Sequence, residues 1–185
     1  YASAKPGEAE ALDLLARVMV HGTTGRVYKH LVMKEKVAAS AGGWYSDSGL
    51  DSGRMGFYAI AGEKNTPEQM EAAVDAVIAD IRENGVTQDE LDRARAGLLA
   101  EYVYSSDSIS RVARQYGWRL AAGLSIEDVE DWPNRIKAVT VDDVRKVAQE
   151  YLVDEKSVTG ILKPEPKHTS RVQKKPVPVA GKEKS

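Results

Sequence analysis

The sequence predicts an α+β domain, an antiparallel sheet with helices packed on one side, and three observations carry that prediction. Several segments repeat apolar residues at helical spacing behind a Thr or Ser whose third following residue is an acid or an amide. Two short runs flank "DSGLDS", a string of turn formers, and so form a hairpin. Hydrophobic residues make up 42% of the 185-residue chain and charged residues 29%, the balance of a soluble globular chain able to bury a core.

Taken in order, residues 8 to 20 place Ala11, Leu12, Leu15, Val18 and Met19 on one helical face that ends at Gly22. Residues 23 to 36 form a second amphipathic helix, with Val27 and Leu31 toward the core and "KEK" exposed before the strand that begins at Val37. The runs 37–46, "VAASAGGWYS", and 53–62, "GRMGFYAIAG", are the hairpin strands. The paired glycines of "AGGW" mark a bulge or a close backbone approach rather than a ligand site.

Thr66 as N-cap, Pro67 at the first helical position and Gln69 closing a capping box open a helix that stops at Gly85. Its stripe is Met70, Ala73, Val74, Val77, Ile78 and Ile81. "TQDE" opens the next helix at Thr87, with Leu91, Ala94, Leu98 and Tyr102 on one face. Ser125 and Asp128 open a short helix through Val129 and Trp132, interrupted or bent at Pro133. Thr140 and Asp143 open the last, with Val141, Val144, Val147, Ala148 and Tyr151. "SVTGIL", 157–162, reads as a third strand and Tyr1 to Ala4 as the stub of a fourth.

A charge shift places a boundary. Residues 163–185 carry a net charge of +5 and leave −7 to residues 1–162. The tail from 164 has four Pro and no aromatic residue, a composition that cannot offset chain entropy by burial, so 1–163 is read as the domain and 164–185 as a disordered basic tail. With neither aromatic interleaving nor a folded basic face, a nucleic-acid partner is not expected. No window approaches the roughly 18 to 20 apolar residues of a membrane span. The first residues show neither a basic nor an apolar leader region and no initiator Met, as in a mature or truncated piece.

Catalytic chemistry is sparse. The absence of Cys excludes disulfides and thiolate metal sites. His21 and His30 stand nine apart across a Gly, not at the i, i+4 spacing with which a helix grips zinc, and His168 lies in the tail. His21 is expected at a helix C-terminus and His30 as an exposed or half-buried helix residue, neither a metal ligand. The carboxylates Asp89, Glu90, Asp92, Glu127, Asp128, Glu130, Asp131, Asp142 and Asp143 mostly sit in first helical turns, where capping explains them. No catalytic or metal-binding residue is therefore assigned to this chain.

An ordered series of longer segments goes further. "YASAKPGEAEALDLLARVMVHGTTGRVYKHLVMKEKVAASAGGWY", "GVTQDELDRARAGLLAEYVYSSDS", "ARQYGWRLAAGLS", "AVTVDDVRKVAQEYL" and "SVTGILKP" together resemble the second half of a subunit of the M16 zinc metallopeptidases, the family of pitrilysin, insulin-degrading enzyme and mitochondrial processing peptidase. The resemblance covers residues 1 to about 164 and implies the fold of the mitochondrial processing peptidase-like metallohydrolases. It also implies a clamshell of homologous halves that holds a peptide substrate, with zinc on an inverted H-x-x-E-H motif in the preceding domain. That motif is absent here.

Where other subunits carry a substrate-steadying Arg and Tyr, in a segment resembling L-R-x-x-E-x-x-x-Y, this chain has Val32 and Ala39. The resemblance then implies the C-terminal domain of the zinc-bearing subunit of a bacterial, zinc-dependent peptidase. A second M16 subunit would supply the missing pair, and the compartment would be the periplasm or the exterior of a Gram-negative cell. Two other readings stand beside it: a proteolytically inactive structural subunit, and a module that binds anionic surfaces through the basic tail.

Overall fold

The computed structural model describes residues 7–46, 53–62 and 65–163. The helix α1, Glu8–Val20, runs through the middle of the core, with Leu14, Leu15 and Met19 wholly buried. It packs against the strand β1, Ala38–Ser46, on one side. On the other it meets α4, Gln88–Ser105, α7, Trp132–Ala138, and α8, Val141–Tyr151. Each fully buried Leu or Met contributes about 1.5 to 3 kcal/mol relative to exposure, so α1 is the principal source of cohesion.

The two predicted runs pair as a hairpin, while the turn residues 47–52 lie outside the described residues. β1 pairs antiparallel with β2, Arg54–Ala61, setting Trp44 opposite Gly56 and Gly42 opposite Tyr58, with a bulge between Ala38 and Ser40. Helices cover one face only, and Ala38 and Ala41 are buried on that side. The result is the α+β arrangement expected, with a two-stranded sheet among the described residues.

The capping boxes start the helices as read. Thr66, Thr87, Ser125 and Thr140 each accept from the N–H three residues on, at α3 (Pro67–Asn84), α4, α6 (Ile126–Glu130) and α8. Gly85 stops α3 at φ 72°, a left-handed value that glycine tolerates. α6 ends at Glu130 and α7 begins at Trp132, with Pro133 in its first turn.

Three features depart from the sequence reading. Residues 23–36 are not one helix. A 3-10 turn, Gly22–Thr24, is followed by extended Gly25, then by α2, Arg26–Tyr28, and by a π-helical turn, Lys29–Lys34. The break falls at Gly25 because its backbone lies against the end of α1, where an added Cβ would stand 2.6 Å from the Met19 carbonyl oxygen. Val27 and Leu31 nevertheless reach the core, and Lys34, Glu35 and Lys36 are exposed.

Second, 157–162 is not a strand: Val158 and Leu162 are each 98% exposed. A strand needs a neighbour to satisfy its N–H and C=O groups, and the described residues offer none there. Third, residues 109–121, to which no helix was assigned, form α5, Ile109–Ala121. The expected strand stub at 1–4 and the tail 164–185 lie outside the described residues.

Candidate functional site

The positions singled out by the sequence, 32 and 39, lie at the junction between α2 and the sheet. Val32 is on the π turn, half-buried and packed against the core cluster. Ala39 is the exposed residue of the β1 bulge. Neither side chain carries a polar atom, so this junction has nothing there to donate to a peptide carbonyl.

The junction is held rigidly from beneath. The Arg26 guanidinium grips Glu90 with Nε to Oε1 at 2.9 Å and Nη2 to Oε2 at 2.6 Å, and its Nη1 donates to Asp80 at 2.8 Å. One side chain thus ties α2 to both α3 and α4, in the bidentate geometry that suits Arg and carboxylate. Glu90 also accepts from the Thr87 backbone N–H. The Arg26 hydrogen bonds, opposed by burial and aided by that N–H, hold its carboxyl down to a pKa of about 2. Arg26 is correspondingly raised, first by its hydrogen bond to Glu90. A carboxylate so committed is a structural anchor, not a proton carrier at neutral pH.

Beside the hairpin, an open depression of about 270 Å³ is bounded by Asp13, Arg17, His21, Gly43 and Tyr45, among others. Its charges are already engaged. Arg17 donates to Glu101 at 2.6 Å, and Asp13 accepts from Trp132 Nε1 at 3.3 Å. His21 is the exposed C-cap of α1, and His30 is half-buried on the π turn. Among the described residues no group of three or more His, Asp or Glu could hold a metal ion, so zinc does not fit the side chains present.

Of the acidic residues named from the sequence, Asp128 and Asp143 are capping partners. Each carboxyl is held below its ordinary value by hydrogen bonds from Ser125 and Thr140, respectively. The glycines of "AGGW" do mark close approach. A Cβ on Gly42 would stand 2.9 Å from the Tyr58 hydroxyl, and one on Gly43 would collide with the Gly56 carbonyl oxygen.

Sequence reasoning did not single out the uncovered face of the hairpin. Trp44, Tyr58 and Ile60 are half or more exposed there, and the Trp44 indole lies over Gly56, 2.7 Å from where its Cβ would be. The signal lies in the register and not in the sequence alone: Gly42 stands directly across from Tyr58 and Gly56 from Trp44.

The described residues thus form a hairpin backed by helices, with no cluster of His, Asp or Glu of metal-binding size among them. The chain belongs to the family described as the Peptidase M16 inactive domain, which matches residues 3–98. It is 26% identical over 155 residues to the zinc protease PqqE of Helicobacter pylori, covering 83% of this chain and 34% of that protein. Identity to the uncharacterized zinc protease SCO5738 of Streptomyces coelicolor is also 26%, over 162 residues, 88% of this chain and 35% of that one. The chain therefore spans about a third of the length of these relatives.

Among solved structures, the inactive peptidase domain from Bordetella parapertussis superposes with a TM-score of 0.76 at 24% identity, over 84% of each chain. A protease from Helicobacter pylori gives 0.75 at 23%, over 82% of this chain and 36% of that one. These likenesses confirm the fold. No helix among the described residues is long and apolar enough to cross a membrane.

Proposed function

We propose that this chain is the non-metal domain of an M16 zinc endopeptidase subunit and forms part of the wall of a peptide-cleavage chamber. The zinc would lie in a preceding domain of the same subunit, and a second M16 subunit would bring the Arg and Tyr that steady the peptide. One observation carries the reading: positions 32 and 39 hold a core-packed Val and an exposed Ala, in a domain whose described residues hold no metal cluster. A supporting wall needs what this domain has, a clamped junction and a sheet backed by helices. By the same family likeness, the proposed compartment is the periplasm or the exterior of a Gram-negative cell.

The test is peptide cleavage by the chain joined to a zinc-binding M16 domain, with and without a second M16 subunit carrying the Arg/Tyr pair. Cleavage should require all the parts, because orientation of the peptide is worth orders of magnitude in rate. Equal cleavage without the second subunit would refute the complementation. No cleavage with every part present would favour a structural subunit.

A further inference from the structure

The outer face of the hairpin carries a short aromatic floor. Register sets Trp44 across from Gly56, Tyr58 across from Gly42 and Ile60 across from Ser40, so three large side chains follow one another on that face. Each ring fills the space that a side chain on the facing glycine would take. A Cβ on Gly56 would stand 2.7 Å from Trp44 Cε2, and one on Gly42 would stand 2.9 Å from the Tyr58 hydroxyl. Backbone therefore supports the rings from beneath, yet Trp44 is 51%, Tyr58 52% and Ile60 59% exposed. Such a surface suits a stiff, apolar, extended chain, as aromatic-lined grooves suit proline-rich segments.

The chain carries such a segment and delivers it to this face. The Asp75 carboxyl is raised by burial first and then by Glu71 and Asp154. The Glu68 carboxyl is lowered by its own backbone N–H, by the Thr66 hydroxyl and further by Lys163. Asp154 thus lies near Asp75 and Lys163 near Glu68, two turns earlier on α3, so 154–163 runs toward the N-terminal end of that helix. That end is tied to the hairpin: Asn65 Nδ2 donates to the Lys36 carbonyl at 3.2 Å, and the Gly62 N–H to the Val37 carbonyl at 3.2 Å. Lys163 therefore hands the chain on near the Ile60 end of the aromatic floor. "PVPV" follows at 176–179, in a segment whose +5 complements the −7 of the body. The stretch 164–175 can span up to about 40 Å, whereas the Trp44 rung lies about 20 Å along β2 from Gly62.

We propose that the outer face of the hairpin is a docking site for the chain's own segment 176–179, laid over Trp44 and Tyr58 as a polyproline II strand. In that form prolines two residues apart stand about 6 Å apart, close to the about 7 Å between successive same-face rungs of a strand. Pro176 and Pro178 rest on the Tyr58 and Trp44 rungs. Proline gives up little freedom on docking, and the tether holds the segment at a local concentration on the order of millimolar, so a weak contact suffices. This inference goes beyond the chamber reading and can fail without touching it.

The chain has no Cys, so Gly181→Cys gives a single attachment point for a nitroxide beside the segment. In NMR spectra of the full 185-residue chain, the label should broaden the Trp44 indole N–H and the Gly42, Gly56 and Tyr58 amides more than the rest of the body. Pro176→Asp with Pro178→Asp should abolish that selectivity and leave the circular dichroism of the body unchanged. Trp44→Ser should reduce the broadening at Gly42 and Tyr58, and the proline variants keep the test decisive if that one fails to fold. A mixture of isotope-labelled chain with spin-labelled, isotopically unlabelled chain should show no selective broadening. Uniform broadening over the body, or broadening indifferent to the proline changes, would overturn the proposal. So would equal broadening in the mixture, which would put a second copy's segment on the face.

Discussion

α1 and α5 are both thirteen residues long and both amphipathic, yet α1 buries eight residues and α5 none. The difference lies not in the helices but in what surrounds them. α1 has β1, α4, α7 and α8 against it, while the main packing partner of α5 is α6, and Ile109, Trp118 and Leu120 are left to solvent. Periodicity states which side of a helix is apolar and says nothing of whether the covering surface belongs to the same chain. The central body should therefore answer to mutation as a folded core does, and the 103–126 lobe as a solvent-exposed surface does.

The largest expected effect tests the body. Leu15→Ala removes a wholly buried side chain on α1, the helix packed against both the sheet and α8. Loss of about 2 to 5 kcal/mol is expected in urea unfolding. A loss below about 1 kcal/mol would mean that α1 is not the centre of cohesion and that the contrast with α5 is drawn wrongly.

Next in size is the Arg26–Glu90 clamp, which belongs to the body and sets the junction bearing Val32. Its sign follows from the depressed pKa. Glu90 titrates at about 2 in the folded chain against an ordinary value of 4.5, so its stabilisation is complete above about pH 5 and disappears as pH falls toward 2. The gap corresponds to a ceiling on the order of 3 kcal/mol, lowered by the part of the side chain that water reaches. Glu90→Gln keeps a capping partner for Thr87 but loses the charge. Its stability should fall less steeply below pH 5 than that of the parent chain, while equal slopes would remove Glu90 from the account. Asp128 and Asp143, also depressed, titrate in both proteins and cancel in the comparison.

The body was also the legible part of the sequence. Thr66, Thr87, Ser125 and Thr140 act through side-chain hydrogen bonds to residues three along, a purely local device, and all four helix starts were read from it. α5 lacks that device. Its N-cap, Ser108, makes no side-chain capping bond, so its start carried no comparable mark. The break at Gly25 comes from the close approach of its backbone to Met19 at the end of α1, which apolar spacing does not report, and the loss of the strand at 157–162 from a missing neighbour. Of the site, Val32 and Ala39 were placed by resemblance, while the exposed Trp44 and Tyr58 face follows from cross-strand pairing that only the register shows.

The smallest expected effect falls on the lobe. Ile109→Ala should leave the stability of the monomer within about 0.5 kcal/mol, because an 88%-exposed side chain forfeits almost no burial when it is shortened. Set beside Leu15→Ala, it compares two apolar truncations on helices of equal length, one wholly enclosed and one open. The measurement is urea unfolding at a concentration where the chain is monomeric, since any association would add a concentration-dependent term to the apparent stability. A loss above about 1 kcal/mol in that monomer would mean that α5 packs against the body more closely than its exposure indicates. A negligible loss would show that this apolar surface contributes little to the fold of the single chain, as its exposure indicates.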